Sequence, residues 1–239
     1  MIQNNTFTFR PVKVVVLDSG IDTDKGGLVE HVKESIHFSL DINGVVLETK
    51  QYSYNNDHGT AVAMAIKHIT PNVEFISMNI LNEQLRSDGR VLLYAFKRAI
   101  DCNPDIIHMS LGTKKFRYAK PLKKLAYEAR EHEVFVVAAA NNNNKVRSLP
   151  ARLNNVIGVL GLSDLNPENY CFKNKYFYAC DNVNDVRRIG DIPNYKYLTG
   201  SSIAAAFISG HIARLISKRD FRYDEINSLL KRGIMGGEI

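Results

Sequence analysis

The stretch VKVVVLD, residues 12–18, decides the fold class, because it is an almost continuous apolar run that ends in an acid. Such β-branched runs are typical of strands buried on both faces, as in parallel sheets. Similar runs recur along the chain, namely VEFISMNIL (73–81), PDIIHMSLG (104–112), VFVVAAA (134–140) and NVIGVLG (155–161). We therefore predict a mostly parallel sheet.

Amphipathic patterns separate these apolar runs. In SDGRVLLYAFKRAIDC (87–102) apolar residues recur at helical spacing after Ser87 or Asp88, either of which can cap a helix. PLKKLAYEAREH (121–132) has the same spacing. Alternating strands and helices predict an α/β fold of three layers, doubly wound, with a mostly parallel sheet and helices on both faces. We expect residues 1–239 to form a single domain, because no linker or internal repeat interrupts the pattern.

Composition argues against several classes of protein. Apolar residues make up 45% of the chain, but no run is long enough to predict a transmembrane helix. The first residues lack the pattern of a signal peptide, and no inhibitory pro-domain is visible. Cys102, Cys171 and Cys180 are too few for a disulfide framework and are not spaced as a zinc site. We expect a cytoplasmic protein, although Cys171 and Cys180 can pair if the protein is exported.

The chain has a net charge of +6 and a pI near 9.1. This charge fits an ordinary solvated surface, and it also fits attraction for an acidic partner such as a peptide. The basic residues are scattered apart from short clusters such as KKFRYAKPLKK (114–124). No nucleic-acid-binding signature accompanies them, so we expect no nucleic-acid partner.

Three residues can carry chemistry, although each also has a plain structural explanation. Asp18 follows the first apolar run, where Asp-Ser-Gly also suits a turn. His58 starts the helical pattern of HGTAVAMA (58–65), and it can equally be a histidine in a capping region. Ser202 lies in TGSSIAAAFISG (199–210), where it can also be the N-cap of a core helix. Ser201 is an alternative for that cap.

Together these residues supply an acid, a base and a nucleophile. An imidazole can take the serine proton, and a carboxylate can hold the tautomer of the imidazole. Their order is Asp, His, Ser, which is the order in one of the unrelated serine-protease arrangements. The α/β-hydrolase alternative fails, because GSSIA (200–204) lacks the second glycine of Gly-x-Ser-x-Gly and the histidine comes first.

On these motifs the chain resembles the subtilisin-like serine proteases, or subtilases, from about Val12 to Lys231. Five motifs match those of the family and follow one another in the same order. They are VVVLDSGID (14–22), HGTAVAMA (58–65), PDIIHMSLG (104–112), VFVVAAANN (134–142) and GSSIAAAFISG (200–210). The resemblance implies a subtilisin-like fold and a serine endopeptidase that acts through an acyl-enzyme. It implies that Asp18, His58 and Ser202 are catalytic, and it implies no cofactor.

The resemblance implies two further roles. Ser110, Leu111 and Gly112 would form the strand edge that pairs with an extended peptide substrate. Asn142 would donate its side-chain N–H to the oxyanion, together with the backbone N–H of Ser202. The neighbouring asparagines leave a one-residue ambiguity, so Asn141 is the alternative donor.

The chain departs from the family at two places that bear on ligands. After His58 the helical pattern continues directly into TPNVEF (70–75), without the insertion that builds a calcium site in many secreted relatives. We therefore expect no calcium there, and we assign no metal ligand. Arg147 lies near the expected base of the first specificity pocket. It either favours an acidic residue before the cut or simply faces solvent.

A biological role follows less directly. Because a general protease without an inhibitory pro-domain would be harmful in the cytosol, we expect narrow specificity or control by a regulatory partner protein. One hypothesis is that the protein removes the leader from a ribosomally made peptide. The substrate would then be a peptide or protein, which can be acidic. We expect no membrane partner. The alternative is a catalytically impaired module with the subtilase fold that binds peptides or acts as a scaffold.

Overall fold

The computed structural model describes residues 10–51, 53–141, 148–218 and 222–233. Within these ranges nine strands form one sheet, and five α-helices and three short 3₁₀ turns accompany it. The strands are β1 Val12–Asp18, β2 Val32–Leu40, β3 Val46–Lys50, β4 Val73–Asn79, β5 Ile106–Met109, β6 Phe135–Ala139, β7 Ile157–Leu162, β8 Tyr170–Lys173 and β9 Tyr176–Cys180. The helices are α1 His58–Ile69, α2 Gly89–Asp101, α3 Ala119–Glu131, α4 Ser201–Ile216 and α5 Tyr223–Arg232.

The sheet has the strand order β3-β2-β4-β1-β5-β6-β7-β9-β8. Its seven inner strands run parallel, and only the outer pairs β2–β3 and β8–β9 are antiparallel. The first strand, β1, lies near the centre of the sheet, with β4 on one side and β5 on the other. The carboxyl ends of β1 and β5 therefore meet where the winding changes sides, which is where open α/β sheets bind ligands.

The side chains of β1 enter two separate cores. Val14 and Val16 belong to the core that also holds α1 and α4, whereas Val15 and Leu17 belong to the core under α2 and α3. Successive side chains of a strand point to opposite faces, so an unbroken apolar strand needs a helical layer on each side. The three-layer, mostly parallel fold predicted from the sequence is confirmed.

The helix starts follow from local sequence. The carboxylate of Asp88 accepts a hydrogen bond from the backbone N–H of Arg90 at 2.8 Å, so Asp88 is the cap of α2 rather than Ser87. The side chain of Asn56 accepts from the backbone N–H of His58 at 2.9 Å at the start of α1. Gly200 precedes α4 with φ 120°, a backbone conformation that side chains disfavour.

No helix among the described residues has the length and apolar character that a membrane span requires. The cysteines are free: Cys102 is half-buried, Cys171 exposed and Cys180 buried. In the β8–β9 hairpin Cys171 stands opposite Tyr178, so Cys171 and Cys180 are not cross-strand partners.

Candidate active site

The structure brings Asp18, His58 and Ser202 together at one edge of the sheet. The Nδ1 atom of His58 lies 2.9 Å and 3.0 Å from the two carboxylate oxygens of Asp18. The Nε2 atom of His58 lies 2.8 Å from the hydroxyl oxygen of Ser202. Because a carboxylate only accepts hydrogen bonds, Nδ1 carries the proton of the neutral ring. Nε2 is then free to accept the proton of Ser202.

Three element ends place these side chains. Asp18 is the last residue of β1, His58 is the first residue of α1, and Ser202 lies in the first turn of α4. Helices α1 and α4 pack against each other on the same face of the sheet. A Cβ at Gly59 would lie 2.2 Å from the carbonyl oxygen of Gly20, so only glycine lets α1 start this close to the loop after β1.

The two serines at the start of α4 make different contacts. The hydroxyl of Ser201 donates to the carbonyl oxygen of Ala140 at 2.5 Å and so ties the helix to the segment after β6. Ser201 is buried, whereas Ser202 is half-buried and points at His58. Ser201 therefore has a structural contact, and Ser202 is the serine within reach of a base.

Asp18 is completely buried, and its charge is compensated by several donors. The backbone N–H of Ser19 donates to the Asp18 carboxylate at 2.7 Å, the Ser19 hydroxyl oxygen lies 3.1 Å from the same carboxylate oxygen, and the Ser110 hydroxyl also interacts with Asp18. Burial by itself raises the pKa of Asp18, but the neighbouring His58 and the donors from Ser110 and Ser19 outweigh it and lower this pKa below its ordinary value. Asp18 is therefore ionised at neutral pH.

The pKa of His58 moves in the opposite direction. Burial lowers the pKa of the imidazole, but the charge of Asp18 and the hydrogen bond to it raise the pKa above the ordinary value of 6.5. The imidazolium form is thus stabilised relative to a free histidine. This property suits a group that takes a proton and later returns it.

A second buried histidine stands behind Asp18. His108 of β5 has no exposed surface, and its Nε2 atom lies 2.9 Å from the hydroxyl oxygen of Ser110. Its Nδ1 atom lies 3.0 Å from the hydroxyl oxygen of Ser209, which lies on α4. Burial is the main cause that lowers the pKa of His108 to about 4, so the ring is neutral at physiological pH.

Two serine hydroxyls hold the neutral ring of His108, one at each nitrogen. A neutral imidazole donates through one nitrogen and accepts through the other, so one of Ser110 and Ser209 accepts from the ring and the other donates to it. Ser209 and Ser202 lie two turns apart on α4, so these hydrogen bonds connect the segment after β5 to the helix that carries Ser202. Motif comparison missed His108 and Ser209, although a histidine inside the apolar run IIHM (106–109) was a usable signal, because burying it requires partners.

The expected substrate edge lies directly after β5. Ser110 and Leu111 are half-buried and Gly112 is exposed. Thr113 then pairs with Leu149 through backbone hydrogen bonds of 2.7 Å and 2.9 Å, which fix where the edge ends. The hydroxyl of Ser110 is hydrogen-bonded to the buried ring of His108, so the backbone of Ser110 is the part that remains for a peptide.

The expected oxyanion donor Asn142 and the candidate specificity residue Arg147 lie outside the described residues. The alternative donor Asn141 is described, and its backbone N–H donates to the hydroxyl of Ser148 at 3.1 Å. Ser148 is buried. In the described part of the chain no group of three or more His, Cys, Asp or Glu side chains is arranged to hold a metal ion.

A family model described as the subtilase family matches residues 10–232. The minor extracellular protease Epr of Bacillus subtilis (strain 168) is 31% identical over 173 residues, which are 66% of this chain and 24% of that protein. The major intracellular serine protease of the same organism is 28% identical over 225 residues, which are 86% of this chain and 68% of that protein. The chain thus spans between about a quarter and about two thirds of the length of these relatives.

Two solved structures share the fold. The crystal structure of a lanthipeptide protease has a TM-score of 0.70 and 21% identity, and the match covers 94% of this chain and 80% of that one. Sphericase has a TM-score of 0.69 and 19% identity, with 96% and 86% of the two chains covered. At these identities the likeness concerns the fold.

Proposed function

The chain belongs to the subtilase family, and from this we propose that it is a serine endopeptidase with Ser202 as nucleophile, His58 as general base and Asp18 as the group that orients His58. One observation carries the proposal: Nε2 of His58 lies 2.8 Å from the Ser202 hydroxyl while Nδ1 lies 2.9 Å from Asp18. The family match and the serine proteases among the relatives support this activity, which requires peptide or protein substrates.

The first half of the reaction forms an acyl-enzyme. The Ser202 oxygen attacks the scissile carbonyl carbon while its proton moves to Nε2 of His58, and the carbonyl electron pair moves to the oxygen. The imidazolium then gives this proton to the leaving amine as the C–N bond breaks. Water enters, loses a proton to His58 and attacks the ester. Collapse of the second intermediate returns the proton to Ser202 and releases the acid.

Two sets of groups stabilise the charges that develop on the imidazole and on the carbonyl oxygen during the reaction. The ionised Asp18 stabilises the imidazolium, and it can do so without becoming protonated because its own pKa is lowered. The backbone N–H of Ser202 belongs to the first turn of α4, whose N–H groups have no partner within the helix. We assign it as one oxyanion donor and the side chain of Asn142 as the other. Such a donor lowers the activation free energy by about 3 kcal/mol.

We assign substrate binding to the backbone of Ser110, Leu111 and Gly112. This segment follows β5 and lies beside Asp18, so a peptide paired with it would pass the Ser202 hydroxyl. Backbone pairing along an edge gives affinity with little demand on sequence, so selectivity must come from neighbouring side chains.

We further propose a cytoplasmic processing role with narrow specificity, such as removal of a leader from a ribosomally made peptide. Intracellular serine proteases of Bacillus subtilis and Paenibacillus polymyxa among the relatives support the location. Digestion of a candidate precursor, followed by mass spectrometry, tests the role. A single defined cut supports it, and broad digestion of unfolded casein contradicts it.

Labelling with a fluorophosphonate tests the activity itself. The native protein should be labelled, and the Ser202→Ala variant should not. Ser201→Ala is the matched control, and we expect it to be labelled because the Ser201 hydroxyl contacts Ala140 rather than His58. A native protein that resists labelling but still binds peptides would instead be a binding module with the subtilase fold.

A further inference from the structure

The net charge of the chain is concentrated in one short segment. The whole sequence has 31 basic and 25 acidic residues. Residues 114–124, KKFRYAKPLKK, hold six of the basic residues and no acid, so the remaining 25 basic residues equal the 25 acidic ones. We name this stretch the basic segment; its cations are Lys114, Lys115, Arg117, Lys120, Lys123 and Lys124.

The cations of the basic segment are exposed, and in the described part of the chain none of them forms an ion pair, although Lys115 helps to lower the pKa of Asp88, which lines the same cavity. All six are exposed to solvent. Over residues 10–51, 53–141, 148–218 and 222–233, no carboxylate lies within 4.0 Å of any of their charged nitrogens. Some exposed lysines elsewhere do form ion pairs: Lys97, for example, pairs with Asp101 and with Glu128 at 2.9 Å. What distinguishes the basic segment is that six exposed cations occur within eleven residues that contain no acid.

The basic segment continues the proposed substrate edge. Gly112, the last residue of that edge, precedes Lys114 by only two positions. A cavity of about 270 Å³ joins the two, since Leu111, Gly112 and Lys115 all line it. A peptide that leaves the edge past Gly112 thus reaches the first cations of the segment.

Helix α3 presents the later cations on one side. Lys120, Lys123 and Lys124 are spaced three and four residues apart, which places them on one exposed face, while Leu122 is buried on the opposite face. Phe116 is 74% exposed, and the guanidinium of Arg152 lies 6.0 Å from its ring centroid. Arg152 is itself exposed and adds a seventh positive charge to this surface.

We propose that the basic segment binds an acidic stretch of the polypeptide substrate, on the amino-terminal side of the cleaved bond. The inference rests on the proposed function, because its occupant is a substrate of the same site. A polypeptide is favoured over a nucleic acid because the surface joins a peptide-pairing edge. The amino-terminal side follows from the proposed role, because a leader precedes the bond that is cut.

The expected effect is on binding rather than on chemistry. Exposed charge pairs are individually weak and are screened by salt, but several in parallel speed association and slow release. We expect a substrate with four glutamates upstream of the cut to have a KM about tenfold lower than its glutamine counterpart, with kcat unchanged. The difference should disappear at about 0.5 M salt.

Charge reversal at matched places locates the effect. The variant Lys120→Glu, Lys123→Glu, Lys124→Glu should lose the preference for the glutamate peptide while it cleaves the glutamine peptide normally. The control Lys173→Glu, Lys175→Glu, Lys218→Glu makes the same change of net charge at exposed positions away from the edge and should keep the preference. Equal loss in both variants would mean that only net charge matters, and it would overturn the proposal.

A binding measurement separates this inference from the proposed function. Fluorescence anisotropy of the labelled glutamate peptide with the Ser202→Ala protein needs no catalysis. If the glutamate peptide binds more tightly than the glutamine peptide, and charge reversal on α3 removes this difference, the result supports the proposed binding surface even if fluorophosphonate does not label the native protein. If both peptides bind equally, the inference is overturned, but a native protein that fluorophosphonate labels is still a protease. The inference is also overturned if the protein prefers only peptides with glutamates downstream of the cut. The same holds if it binds a DNA oligonucleotide through these charges and does not distinguish the two peptides.

Discussion

The hydroxyl oxygen of Ser202 lies 2.8 Å from Nε2 of His58, although 144 residues separate them along the chain. Both residues lie at helix starts, His58 as the first residue of α1 and Ser202 as the second of α4. These helices pack side by side on one face of the sheet, so the contact depends on how closely they approach.

The pH dependence of the native enzyme should report His58. The base must be neutral to take a proton, and the buried Asp18 raises its pKa above 6.5. We therefore expect kcat/KM to fall as the pH decreases, with a midpoint above 6.5. A pH–rate profile measures it, and a midpoint at or below 6.5 would show that Asp18 does not act on His58 as described.

Asp18→Asn should lower kcat by about four orders of magnitude, because an amide neither stabilises the imidazolium nor fixes the tautomer. Without the charge of Asp18, burial dominates and lowers the pKa of His58. The acid limb of the profile should then move to lower pH. An unchanged rate, or a limb that moves to higher pH, would contradict the role given to Asp18.

Ser209→Ala should destabilise the fold. It leaves Nδ1 of the completely buried His108 without its hydrogen-bond partner, which costs about 1–3 kcal/mol in the free energy of unfolding. Ser217→Ala, at the residue that caps the end of α4, is the control: its hydroxyl donates to the carbonyl of Arg214 in a half-buried position, so we expect a loss of about 0.5 kcal/mol or less. Urea denaturation compares the two, and equal losses would refute the role of Ser209 as the partner of buried His108.

Gly59→Ala should reduce both stability and activity. The new Cβ would lie 2.2 Å from the carbonyl oxygen of Gly20 and 3.2 Å from the Cβ of Asp18, so the start of α1 must shift. Overpacking of this kind costs about 1–3 kcal/mol of stability, and it moves His58 away from Ser202. Gly190→Ala is the control, because nothing lies within 4 Å of its added Cβ. If Gly59→Ala kept full activity and stability, the close approach would not matter.

The central sheet and the residues of the candidate site could be predicted because their signals are local. The inner strands β1, β4, β5, β6 and β7 are apolar runs, and Asp18, His58 and Ser202 occur in motifs at the ends of strands or helices. The strands β2, β3, β8 and β9 were not predicted. Most residues of β2 and β3 are half-buried or exposed, so their sequences mix polar and apolar residues without a clear period.

The partners behind Asp18 could not be predicted for a different reason. Ser209 and His108 are 101 residues apart, and their contact exists only because α4 packs on the sheet over β5. The sequence indicates a costly buried histidine, but it does not say which hydroxyl satisfies it. For the basic segment, the sequence shows the charge directly. It does not show that the segment lies beside the proposed substrate edge.

Mass-spectrometric mapping of the fluorophosphonate adduct tests the central claim most directly, because it asks which hydroxyl His58 activates. We predict a single adduct on Ser202, absent from Ser202→Ala and retained in Ser201→Ala. An adduct on Ser201, or a folded native protein that forms none, would contradict the account.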